Sequence, residues 1–301
     1  MLRNIILIIV IILEQIGVFA PFSSDKINLT PQSLPEEHSK ISYIGNIAPL
    51  PQKISDKEIK LEARSFISQD LKTAKILAEK ESKIRIPIAS TTKIMTAVVV
   101  LENTKPDDIV TVSQNAVSTY GQGIGLRPGE KLKVESLLYA ALLNSSNDAS
   151  IALAEHISGT EQEFVKLMNK KAQELKLTGS NFTNASGLDN PNHYSTVLDL
   201  LNLTRYALQN EKFQEIVRTK EKTITSLEGL NHNLKSSNKL MGNSGFNIIG
   251  VKTGYTEEAG ECLITLAENN GNEVLTIVLN SLDRFNETKK LLKWSFDSYK
   301  W

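Results

Sequence analysis

The sequence predicts an α+β fold, and three observations carry that expectation. Short apolar runs that read as strands lie at residues 64–78, helical periodicity dominates from Thr91 to about Arg218, and strand character returns at 247–279 before a last amphipathic helix. Strands, helices, strands and a helix in that order are expected to bring the N- and C-terminal strands into one antiparallel sheet. With 41% of 301 residues hydrophobic, the chain has the apolar mass for such a core, which excludes wholesale disorder. Thirty-four Lys plus Arg balance 34 Asp plus Glu, so no net field attracts a polyanion and nucleic acid is not an expected partner. Cys262 has no second cysteine to pair with. His38, His156, His193 and His232 show no metal-site spacing, and no metal or cofactor is expected.

The elements follow in order. Arg3 precedes an apolar run from Ile5 to Leu13, interrupted by Glu14-Gln15 and resumed from Ile16 to Ala20. Residues 1–20 therefore read as a signal peptide or an N-terminal membrane anchor, which places the folded part outside the cytoplasm. Residues 21–58 hold five of the nine prolines without sustained apolar periodicity and read as a linker. The folded domain is expected over 59–301. Arg64–Ser68 and Ala74–Ala78 read as a hairpin, Val134–Leu143 and Ala149–Ile157 as a helix pair. Asn247–Thr253, Cys262–Ala267 and Val274–Leu279 read as strands, the last two joined through Asn269-Asn270-Gly271-Asn272. A closing helix from about Glu287 to Tyr299 presents Leu291, Leu292, Phe296 and Tyr299 to the core. Gly121-Gln122-Gly123-Ile124-Gly125 lacks the strand-to-helix context of a phosphate loop and reads as a flexible rim.

Three segments carry chemistry. Ile94, Ala97, Val98 and Leu101 repeat at helical spacing while Met95, Val99 and Val100 fill the other faces, so the helix is expected to be buried all round. Ser90 stands at its start and Lys93 three residues on, on the same side. Burial lowers the pKa of an amine, and a neutral lysine can take the serine proton and make the hydroxyl a nucleophile. An N-terminal cap with Lys93 reaching to solvent is the structural alternative. Ser236-Ser237-Asn238-Lys239 repeats the pattern in a polar stretch with no apolar helix after it, so context selects Ser90. Asn144-Ser145-Ser146-Asn147-Asp148 links two helices and by itself reads as a turn with Asn147 or Asp148 as cap. Ile248-Ile249-Gly250-Val251 leads a strand into Lys252-Thr253-Gly254-Tyr255-Thr256, where Gly254 would let another backbone come close.

Taken together, Ser90-x-x-Lys93, Ser145-x-Asn147 and Lys252-Thr253-Gly254 form the trio of penicillin-binding proteins and class A β-lactamases. The surrounding words, Pro87 to Ala97, Asn144 to Ala149 and Gly250 to Thr256, resemble the low-molecular-mass D-alanyl-D-alanine carboxypeptidases, the S11 peptidases. Weaker echoes at Arg127-Pro128-Gly129-Glu130, Asn184–Leu188, His193–Thr196 and Asn238-Lys239-Leu240 extend the likeness from about residue 62 to 282. It implies a β-lactamase/transpeptidase-like fold and removal of the terminal D-alanine from peptidoglycan stem pentapeptides, with β-lactams as inhibitors. Ser90 would attack the carbonyl and Lys93 would take its proton. Ser145, bonded to Lys93 and Lys252, would hand a proton to the leaving D-alanine. Asn147 would bind the substrate amide and orient Lys93, and Lys252 with Thr253 would hold the terminal carboxylate. Backbone N–H groups of Ser90 and Tyr255 would form the oxyanion hole. Many members continue into a β-rich C-terminal domain and an anchor; neither is expected here, which leaves any tether to the N-terminal segment. The Glu-x-x-Leu-Asn segment of class A β-lactamases does not occur between the second and third motifs. A D,D-endopeptidase and a slow-turnover penicillin- or wall-binding protein are the alternatives.

Overall fold

The computed structural model describes residues 49–242 and 245–301. The expected leader and residues 21–48 of the expected linker lie outside the described residues. The first element, β1 (Gln52–Lys53), is followed by β2 (Ser65–Asp70) and β3 (Ile76–Lys80). A 3₁₀ turn over Ala89–Thr92 runs straight into α1 (Lys93–Asn103). The middle of the chain holds β4 (Ile109–Thr111), α2 (Gln114–Val117), β5 (Lys131–Lys133), α3 (Val134–Leu143) and α4 (Asn147–Ser158). It continues through α5 (Glu161–Glu174), α6 (Val197–Ala207), α7 (Glu211–Arg218), β6 (Glu221–Thr225) and β7 (Asn231–Lys235). Three ten-residue strands follow, β8 (Asn247–Thr256), β9 (Gly260–Asn269) and β10 (Asn272–Ser281), then α8 (Arg284–Ser298) and β11 (Tyr299–Lys300).

The main sheet is antiparallel in the order β3-β2-β10-β9-β8, so the early hairpin and the three late strands share one sheet, as the element order predicts. Alternation along β10 explains how it is covered on both faces. Leu275, Ile277 and Leu279 join the large core with Ile94, Met95 and Val98 of α1, whereas Val278 packs with Leu291 of α8, and Val274 with Leu292. Asn270 and Gly271 both take positive φ, 52° and 78°, which is the two-residue turn that the Asn-Gly pair favours. The sheet with helices on both faces and a mainly helical lobe beside it is the α+β, β-lactamase/transpeptidase-like architecture. Eight of the 11 residues of α1 are buried, which makes it the central helix that its all-round apolar pattern predicts.

Two boundaries move. The closing helix starts at Arg284 because Asp283 accepts the Asn286 N–H as its N-terminal cap, and it stops at Ser298, leaving Tyr299 to β11. The folded part also begins before residue 59. Gln52 and Lys53 pair with Lys300 and Tyr299, Ile54 N–H donates to Ser298 O at 2.8 Å, Lys75 Nζ donates to Pro51 O, and Trp294 Nε1 donates to Lys57 O at 2.7 Å. The prolines that signal a linker mask this short pairing. A chain starting at residue 59 is therefore expected to melt below one starting at residue 49, because it loses these bonds. At about 1 kcal/mol each, the loss lowers Tm by several degrees in a thermal melt. No helix among the described residues is long and apolar enough to cross a membrane.

Candidate active site

Ser90 and Lys93 stand where the 3₁₀ turn becomes α1, and the change of helix type puts both polar ends on the same side. Lys93 Nζ donates to Ser90 Oγ at 2.8 Å, to Asn147 Oδ1 at 2.8 Å and to the Ser186 carbonyl at 2.6 Å. The amine is completely buried, which rules out the alternative of a lysine reaching to solvent. The turn itself is braced from below. Thr92 Oγ1 donates to Ala89 O at 2.8 Å and meets His193 Nε2 at 2.7 Å, while His193 Nδ1 accepts the Thr183 N–H at 3.1 Å. With Nδ1 an acceptor, Nε2 carries the proton toward Thr92. Burial is the main reason that the His193 pKa falls to about 4, which leaves the ring neutral.

The connection between α3 and α4 supplies the second wall. Ser145 has φ 62°, a left-handed conformation that a non-glycine residue adopts at a cost of about 1–2 kcal/mol, and it turns the chain so that its side chain meets β8. Asn147 is not the cap that the bland reading makes of it. Its Oδ1 accepts from Lys93, its Nδ2 donates to Tyr120 O at 2.8 Å, and its N–H donates to Gln122 O at 2.6 Å, tying the glycine-containing rim to the site. Asp148 holds the same rim by accepting the Ile124 N–H at 3.1 Å.

The third wall is the end of β8. Lys252 Nζ donates to Ser145 Oγ at 2.9 Å and to Thr253 O at 2.8 Å, and the residue is 1% exposed rather than on a solvated face. Thr253 Oγ1 lies 2.5 Å from Ser237 Oγ. Gly254 passes against the turn of Ser90, where a Cβ would stand 3.1 Å from Ala89 Cβ and 3.2 Å from Ser90 N. That is the close approach for which its missing Cβ is read in the sequence. Tyr255 is 61% exposed and, with Ser90, Tyr120, Asn147, Gly187 and Leu188, lines a cavity of about 630 Å³.

Electrostatics separate the two buried amines. Burial drives Lys93 well below the usual lysine value, the nearby charge of Lys252 adds to this, and Asp148 opposes it. Lys252 falls to about 7, first through burial and then through the positive charge of Arg284. Seven of the eight residues singled out by sequence thus stand on the walls just described or on the cavity rim, and Gly254 packs directly behind Ser90. One expected contact is not made. Ser145 bonds Lys252 but not Lys93, because Ser90, Asn147 and Ser186 already fill the three hydrogen-bonding directions of the Lys93 amine. The second Ser-x-x-Lys stretch makes no such pair. Ser236 Oγ donates to Met241 Sδ and Lys239 lies over the Phe285 ring, although Ser237 reaches the site through Thr253.

Two contributors escape a reading by residue type. The Ser186 carbonyl acts through backbone, which no side-chain pattern announces. Arg284 Nη1 donates to Gly254 O at 2.6 Å from the start of α8, thirty residues away in sequence.

Comparison with known proteins agrees with this geometry. The family model described as D-alanyl-D-alanine carboxypeptidase, peptidase S11, matches residues 52–283. The chain is 36% identical to the D-alanyl-D-alanine carboxypeptidase DacF of Bacillus subtilis over 250 residues, 80% of this chain and 64% of the relative. It is 31% identical to a D-alanyl-D-alanine endopeptidase of Pseudomonas aeruginosa over 254 residues, 82% of this chain and 81% of the relative. The crystal structure of a Streptomyces DD-transpeptidase superposes with a TM-score of 0.75 at 31% identity, over 80% of this chain and 99% of that one. The chain spans 64% of the length of the Bacillus relative, less than two thirds. A family match across the folded part, joined to a buried Ser-Lys pair between two further walls, shows that this chain belongs to the S11 peptidases, the D-alanyl-D-alanine carboxypeptidase family.

Proposed function

We propose that the chain is a serine-type D-Ala-D-Ala carboxypeptidase that removes the terminal D-alanine from peptidoglycan stem pentapeptides through a Ser90 acyl-enzyme. The observation that carries the reading is the 2.8 Å bond between Lys93 Nζ and Ser90 Oγ in a fully buried setting. A lysine whose neutral form is favoured takes the serine proton as Oγ attacks the carbonyl, forming the C–O bond of the tetrahedral intermediate. The N–H groups of Ser90 and Tyr255 stabilise the oxyanion, supported by how closely β8 packs on the Ser90 turn. Ser145, bonded to Lys252, returns a proton to the nitrogen of the departing D-alanine. Lys252 and Thr253 hold the carboxylate, and Asn147 holds the amide of the acyl residue. Water then cleaves the ester and releases the shortened peptide. No step calls for a metal or a cofactor, and β-lactams acylate the same hydroxyl. The substrate lies outside the cytoplasm, so the catalytic domain works there, exported by the segment 1–20 and held or released with the stretch that follows it.

Cross-link cleavage is the second reading, supported by the relative named a D-alanyl-D-alanine endopeptidase. Incubation with a pentapeptide ending in D-Ala-D-Ala and, separately, with a cross-linked dimer, followed by mass spectrometry, tests both. Loss of one alanine from the pentapeptide with the dimer intact is the expected result. Dimer cleavage with an intact pentapeptide would replace the first reading by the second, and no change in either would remove both.

A further inference from the structure

Asn184 lies outside the three motifs, yet it makes more contacts near the reacting pair than any turn requires. Its Oδ1 accepts the N–H groups of Ser186, Gly187 and Leu188 at 3.2, 2.6 and 3.1 Å, and its Nδ2 donates to Leu188 O at 2.9 Å. One side chain thus fixes four backbone groups of the 184–188 loop. The loop is clamped on both flanks. Ala185 N–H donates to Glu161 Oε1 at 2.8 Å, Thr96 Oγ1 of α1 donates to Ala185 O at 2.7 Å, and a Cβ on Gly187 would fall 2.0 Å from Ala89 O. What emerges from this fixed loop is the Ser186 carbonyl, 2.6 Å from Lys93 Nζ and 3.4 Å from Ser90 Oγ.

We propose that Asn184 is a positioning residue for acyl transfer: by winding the 184–188 loop around its own amide, it aims the Ser186 carbonyl at Lys93 and sets where that amine sits and how readily it gives up its proton. The inference rests on the proposed role of Lys93 as the base. A carbonyl oxygen at hydrogen-bond distance stabilises the ammonium over the neutral amine, so it counteracts the burial that favours neutrality. The other groups facing Lys93 are Lys252 from β8, Asp148 from α4 and His193, held neutral. Glu161 stands behind the loop with its carboxylate on Ala185. Against this fixed background the Ser186 carbonyl is the contact that Asn184 controls.

Acylation by a chromogenic cephalosporin, measured against pH in Asn184→Ala and Asn184→Asp, tests the role. Asn184→Ala releases the loop. The plateau rate is expected to drop by about 10- to 100-fold, as misplacement of a reacting group does. Its acid limb is expected to move to lower pH, because the ammonium loses an acceptor. Asn184→Asp keeps an acceptor for the three N–H groups, so its plateau stays within a few-fold of the parent, while the added carboxylate moves the acid limb to higher pH. Opposite shifts are a signature that a purely structural residue does not give. Acid limbs that stay in place, or that move in the same direction, overturn the proposal while leaving the acyl-transfer reading intact. If Asn184→Ala does not melt cooperatively, Asn184→Ser, which shortens the side chain and removes the same amide contacts without adding charge, takes its place in the comparison with the Asp variant. A parent chain that is not acylated at all overturns both readings.

Discussion

Lys93→Ala is expected to react with a β-lactam 10²- to 10⁴-fold more slowly than the parent chain, the range by which a positioned base accelerates proton transfer. The residue is completely buried, and Nζ lies 2.8 Å from the hydroxyl it is proposed to deprotonate. Because burial and Lys252 hold its pKa well below the usual lysine value, the neutral form is populated at a lower pH than for a free amine. The parent rate therefore rises with pH as Lys93 loses its proton, and the variant lacks that limb. Stopped-flow acylation over a range of pH measures both effects. A variant that reacts as fast as the parent, with the same limb, assigns the base to another group.

The second large effect concerns Lys252. Its charge-assisted bond to a substrate carboxylate is worth about 1.5–3 kcal/mol, so Lys252→Ala should lower kcat/KM on a peptide with a free C-terminus about 10- to 150-fold. An amidated analogue, which brings no carboxylate to that bond, should lose far less. The sign of the pH dependence follows from the depressed value of about 7 in the free protein. Above it Lys252 is neutral and no longer attracts the carboxylate, so kcat/KM on the free-acid peptide falls as pH rises through about 7. Combined with the rise from Lys93, the profile is bell-shaped with the two amines on opposite limbs. Equal losses on acid and amide would remove the carboxylate role.

The parts of the fold that can be read from sequence are those with a strong period. The all-round apolar run after Lys93 becomes the central helix, and Val134–Leu143 matches α3 to the residue. The β6–β7 hairpin goes unseen because it barely touches the core. Its strands bury one residue each, Ile224 and Leu234, so neither shows apolar alternation. At the site, side chains whose chemistry depends on their own type are legible: two serines, two lysines, an asparagine and a threonine at short spacings. What stays hidden is supplied by backbone or by distant chain. The Ser186 carbonyl can be offered by any residue, and Arg284 reaches Gly254 only because α8 packs where the sheet ends. The missing Ser145–Lys93 bond has the same origin, since the sequence does not reveal that the loop carbonyl occupies the third hydrogen-bonding direction of Lys93.

The central claim is that Ser90 is the nucleophile, and peptide mapping of the protein after reaction with a β-lactam tests it most directly. One adduct per chain on the peptide containing Ser90, absent in Ser90→Ala, is the predicted result. An adduct on Ser236 or Ser145, or one that persists undiminished in Ser90→Ala, would contradict it.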